Sequence, residues 1–245
     1  MKVLAVLGFL TVAMAVCAAQ TPNLHPDTPP QKAVQTITFS FALVGASPGH
    51  YSIAVDDTGK AAYRADDLAP AGNSGGAPGN STGEPYMVKV ELTPTTTTRI
   101  FEAAKQVNFF QGDFDLKGRR LANMGAKTLS YSDGIREYQT SYNYSQNPVI
   151  MDLTQLFERL GATLEFGRRL AYEHKYDRLG LEAELKYMTD QEQKGSLVDL
   201  QVDAPVLQVI ADDSAVMNIS RHRAQALLDK IKGSSSGEKP AAGPR

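Results

Sequence analysis

Residues 50–63 read His-Tyr-Ser-Ile-Ala-Val-Asp-Asp-Thr-Gly-Lys-Ala-Ala-Tyr. Tyr51, Ile53 and Val55 alternate with smaller residues, the period-two pattern of a strand with one buried face. Asp57-Thr58-Gly59 supplies turn chemistry, and Ala61-Ala62-Tyr63 is the returning arm of a hairpin. Working outward, Ile37, Phe39 and Phe41 alternate with Thr36, Thr38 and Ser40, and Ser47-Pro48-Gly49 makes a turn between the two stretches. Downstream, residues 69–83 hold five glycines and two prolines, which marks a long loop. Tyr86, Val88, Val90 and Leu92 then alternate again.

Two helix starts follow from one device. Thr93-Pro94 and Asn147-Pro148 each place a capping side chain before a proline at the first helical position. Ile100, Phe101, Ala104 and Val107 form a helical stripe after the first, with Phe109-Phe110 plugging the core beyond it. After the second, Val149, Leu153, Leu156, Phe157, Leu160 and Leu164 keep a 3.6-residue period. Between them, Leu129 and Tyr131 lead into Ser132-Asp133-Gly134, a hairpin turn, and the returning strand carries Tyr138, Thr140, Tyr142 and Tyr144. Residues 33–166 are set down as an α+β domain in the order β-β-β-α-β-β-α, an antiparallel sheet with helices on one face.

From about residue 167 the pattern turns helical and charged. Residues 158–194 hold 8 acidic and 7 basic side chains of interspersed sign, a solvated surface. Val198, Leu200 and Val202 alternate as in a strand, while Asp203 with Pro205 reads as the cap of a short helix. Asp213 is placed as the cap of a last helix ending at Gly233. Residues 167–232 are therefore read as a C-terminal helical segment, and 233–245 as a disordered tail.

The hairpin at 50–59, the paired Phe109-Phe110, the Ser132-Asp133-Gly134 hairpin and Asn147-Pro148 together resemble an uncharacterised family of secreted bacterial hairpin-helix-hairpin-helix domains. The resemblance spans residues 50–164. It departs from the family in the Gly-rich insertion and in lacking a Cys near the first strand. It implies a fold and no activity.

The N-terminus carries an address. Lys2 precedes the uncharged run Val3–Val16, and Cys17-Ala18-Ala19 offers small residues before the polar Gln20. That is a secretory signal peptide over residues 1–19, followed by a Pro-rich linker at 20–32. An uncleaved anchor needs a longer apolar run. Lipidation at Cys17 is disfavoured by the bulk of Val16 before it. Cleavage after Ala19 removes the only cysteine, so the mature chain has no thiol chemistry. The expected location is periplasmic or secreted in a bacterium, with no transmembrane segment after the signal peptide.

Composition excludes several classes. With 42% hydrophobic and 21% charged residues the chain is globular, and a net charge of -2 argues against a nucleic-acid binder. Gly72-Asn73-Ser74-Gly75-Gly76 resembles the nucleophile loop of chymotrypsin-like serine proteases, but no His in a matching setting precedes Ser74. Asp56-Asp57, Asp66-Asp67 and Asp212-Asp213 suit turns and caps better than a glycosidase pair. His50, His174 and His222 lie too far apart for a local metal motif, and Glu173-His174 with Asp177 reads as a surface ion pair. No cofactor is expected. The stretch 221–245, with 6 basic and 2 acidic residues, allows a weak association with the cell envelope. Tyr138, Tyr142 and Tyr144, which would share one strand face, form with Arg136 the candidate binding surface. The expected function is an exported non-catalytic module binding a protein or glycan. The alternative is a secreted hydrolase using Ser74 or a carboxylate pair.

Overall fold

A computed structural model describes residues 34–66, 85–117 and 121–236. The strands are β1 (Thr36–Ala42), β2 (His50–Asp56), β3 (Lys60–Asp66), β4 (Tyr86–Glu91), β5 (Ala126–Ser132) and β6 (Glu137–Tyr142). They form one antiparallel sheet in the order β4-β3-β2-β1-β5-β6. The helices are α1 (Pro94–Gln106), α2 (Pro148–Tyr176), α3 (Leu181–Gln193), α4 (Ala204–Asp212) and α5 (Asn218–Ser236). The fold is α+β, with its C-terminal part helical. The return arm at Ala61–Tyr63 grows into the full strand β3, so four strands precede the first helix where three were expected. Its alternation continues through Ala65, which is buried like Ala61 and Tyr63.

The sheet buries the face that the alternation marks. Ile37, Phe39, Ile53, Val55, Tyr63 and Leu129 are almost fully buried beneath α1 and α2. Phe157 of α2 stacks on Phe39 with ring centroids 5.1 Å apart. The opposite face is lined along its centre by the half-buried Thr38, Ser40, Ser52, Thr128 and Ser130. Because β4 is an edge strand and β5 lies beyond β1, the connection carrying α1 crosses the buried face. It ends in a turn at Asn108–Phe110 whose three φ angles are all positive, 49°, 54° and 68°. Left-handed backbone costs roughly 1–2 kcal/mol per L-residue. Here it sinks Phe110 fully and lays Phe109 on Tyr131 at 4.3 Å.

Both capping devices form. Thr93 accepts from the Thr96 backbone N–H at 3.3 Å, and Asn147 accepts from those of Val149 and Ile150 at 3.0 and 3.2 Å. Asp56 and Asp133 organise the two hairpin turns, each accepting backbone N–H groups ahead of it. Asp133 also takes both Nε and Nη2 of Arg136, and these donors hold its carboxyl down to about 2.

The change in character at residue 167 falls in mid-helix, since α2 runs unbroken from Pro148 to Tyr176. Its first part faces the sheet. Its second part faces α3, α4 and α5, which gather a second core around Leu170, Leu185, Met188, Leu207, Ile210 and Leu227. Residues 198–202 form no strand; Leu200–Asp203 is a short 3-10 turn leading into α4. Asp203 makes no capping bond and is buried. Asp213 does not cap α5, which starts at Asn218 and runs past Gly233.

One bracket ties the two cores together. Asp199, with φ of 53°, accepts from the Thr93 backbone and hydroxyl at 3.1 and 2.9 Å and from the Thr96 hydroxyl at 2.8 Å. Replacing Asp199→Ala removes three hydrogen bonds to a charged acceptor. The expected loss is about 2–3 kcal/mol, read as a lower midpoint in urea denaturation; each such bond contributes about 1–3 kcal/mol and the three are not additive.

Candidate functional site

The tyrosines read from β6 face inward. Tyr138 packs against the main core, and Tyr142 is 5% exposed with its hydroxyl 2.5 Å from that of Thr154 on α2. Burial pushes the Tyr142 hydroxyl up to about 12. Tyr144 lies beyond the strand end, half-buried, and its carbonyl accepts from Leu116 at 2.9 Å. Arg136 is at the hairpin tip, paired with Asp133. The four residues therefore do not gather on an exposed strand face.

Ser74 and Asp67 lie outside the described residues. Asp66 pairs with His50 at 3.2 Å and Arg64 at 3.3 Å on the open side of the sheet. His174 does not pair with Asp177; it reaches Asp213 at 2.9 Å, across to the α4–α5 turn. Asp212 accepts from Gln208 at 2.9 Å. No group of three His, Cys, Asp or Glu side chains that could hold a metal occurs among the described residues.

A cleft of about 310 Å³ opens instead where the two cores meet. Tyr51 of β2 forms its floor, Glu158, Gly161 and Glu165 of α2 one wall, and Tyr187 and Gln191 of α3 the other. These residues converge because α2 lies over the sheet end and carries α3 on its far half. Gly161 lets α2 pack closely on the Tyr51 ring, since a Cβ there would lie 3.0 Å from it. Tyr51 is 9% exposed, and its hydroxyl has no hydrogen-bond partner among the described residues. Burial first, and then the Glu158 and Glu165 carboxylates, push that hydroxyl above its ordinary range.

The charges around the cleft are unequal in freedom. Glu165 is buried and accepts from the Tyr63 hydroxyl and, at 2.9 and 2.7 Å, from Nε and Nη2 of Arg168. Arg169 donates to Glu184 at 2.6 Å and lies 4.6 Å over the Phe166 ring. Glu158 sits at the rim with its carboxyl raised by desolvation, and the buried Lys127 pulls it back down. Lys127 itself is held under the sheet end by the carbonyls of Met124, Gly125 and Asn143 at 2.9, 3.3 and 3.3 Å. An adjoining depression of about 340 Å³, lined by Gln155, Glu158, Arg159 and Ser196, extends the cleft along α2.

A larger groove of about 590 Å³ runs between α1 and α2. Its buried lining residues are Leu153 and Leu156, so no buried polar side chain points into it.

No family model matches the chain, and no curated protein matches it in sequence. The cleft was missed by sequence reasoning because its parts come from β2, α2 and α3. Gly161 was the one local signal, a glycine inside a strong helical pattern, where it costs about 1 kcal/mol against alanine.

Proposed function

We propose that the protein is an exported, non-catalytic binding module of the bacterial cell envelope, and that it holds its protein or glycan partner in the cleft between the two cores. The observation that carries this reading is the Tyr51 hydroxyl, which borders an open cleft and makes no hydrogen bond among the described residues. Small-molecule sites favour such junctions, with few polar groups in a concave wall. The N-terminal signal pattern supports export.

Blocking the cleft tests the proposal. Ser196 borders both the cleft and its extension. Ser196→Trp is expected to reduce capture by a cell-envelope fraction at least tenfold at unchanged melting temperature. Thr98→Trp, in the α1–α2 groove, is the control and keeps capture. Equal capture by both variants sinks the proposal. A hydrolase reading has one point in its favour, the pair Glu158 and Glu165 on one wall of the cleft. Two helical turns separate them by about 10 Å along the axis, near the upper limit for an inverting glycosidase. Glu165 is already engaged by three donors. Release of soluble product that disappears in Glu158→Gln would replace the non-catalytic reading with this one.

A further inference from the structure

We infer that the ligand is a sugar unit of a glycan chain, seated with an apolar ring face on Tyr187 and its hydroxyls against Tyr51, Glu158 and Gln191. This inference rests on the cleft being the binding site. Tyr187 is 52% exposed at the cleft mouth, and its ring is fixed beside Phe166 at 5.4 Å. A ring presented in this way offers an amphipathic platform that costs little side-chain entropy to use. Beneath it, the Tyr51 hydroxyl can donate and accept, Glu158 can accept from two neighbouring hydroxyls, and Gln191 can do both. A polyhydroxylated ring with one apolar face matches that inventory.

Charge narrows the class. Arg169 is committed to Glu184, and Glu165 to Tyr63 and Arg168. The remaining carboxylate at the rim, Glu158, disfavours phosphate-bearing or carboxylate-bearing ligands. Arg159, beside Glu158 in the extension, places a positive charge at the same rim and disfavours a cation. A neutral ligand with hydroxyl donors fits both conditions. The extension past Gln155 and Arg159 gives room for a second unit, so a chain fits better than a single sugar.

The test is titration calorimetry of the full chain with two neutral tetrasaccharides, one of glucose and one of N-acetylglucosamine, and with tetralysine as the cationic probe. Binding of at least one tetrasaccharide is expected, weakened at least tenfold by Tyr187→Ala and about fivefold by Tyr51→Phe. Tyr51→Phe is expected to melt no lower than the parent, since the lost hydroxyl makes no hydrogen bond among the described residues. Tetralysine binding in place of both sugars overturns the glycan assignment. So does the absence of any sugar binding while Ser196→Trp still abolishes envelope capture, a result that keeps the cleft as the site. If Ser196→Trp leaves capture intact, the binding-site reading itself fails.

Discussion

Replacing Glu165→Ala is expected to cost about 3–5 kcal/mol, the range for removing one partner of a buried ion pair. Glu165 is 6% exposed and Tyr63 is 1% exposed. Alanine would strand the Tyr63 hydroxyl in the core and deprive Arg168 of a carboxylate it grips with two nitrogens. It would also open a cavity where α2 meets β3. Glu165→Gln is expected to lose less, since the amide oxygen still accepts from one donor. Urea denaturation followed by far-UV circular dichroism measures both. A loss under 1 kcal/mol for Glu165→Ala would show that this contact is peripheral to stability.

Asp203→Asn is expected to stabilise the protein at neutral and alkaline pH. Asp203 is 4% exposed, Oδ2 has no partner, and burial raises its carboxyl well above the ordinary range. The folded protein therefore keeps a proton that the unfolded chain gives up at an ordinary carboxylate value, near 4. The stabilising contribution is complete below that value. It is lost progressively as pH rises toward the folded-state value. An asparagine has the same shape and no such slope. The variant should match the parent near pH 4 and exceed it at pH 8, by about 1.4 kcal/mol for each pH unit between the two carboxyl values traversed. Melting temperatures across that range decide it, and parallel curves for the two proteins would contradict it. The carboxyl is seated close against α2: a Cβ at Gly167 would lie 2.2 Å from Oδ1, so any larger residue there must displace it.

Local chemistry was legible and facing was not. Thr93-Pro94 and Asn147-Pro148 specify helix starts within three residues, so both could be read directly. Alternation along β6 grouped Tyr138 with Tyr142 correctly but could not say which side meets α2. Lys127 is a case of misleading polarity: it opposes Tyr142 in register and lies on the buried side, with its ammonium satisfied by three carbonyls. Asp203 looked like a cap because Asp before Pro205 usually is one. Only the packing of α4 on α2 shows that its carboxyl is enclosed. His174 found Asp213, 39 positions away, over a neighbour on its own helix, because the turn between α4 and α5 is brought alongside the end of α2.

The unbroken span of α2 has a consequence for how the molecule comes apart. At 29 residues it is about 43 Å long, and it contributes Phe157 and Leu160 to one core and Phe166 and Leu170 to the other. Neither half can melt without exposing apolar side chains of the helix that the other half needs. The sheet and the C-terminal helices should therefore unfold in a single calorimetric transition. Amide hydrogens between Leu156 and Leu170 should be among the slowest to exchange, at rates set by global opening, while the far ends of α3 and α5 exchange by local fraying.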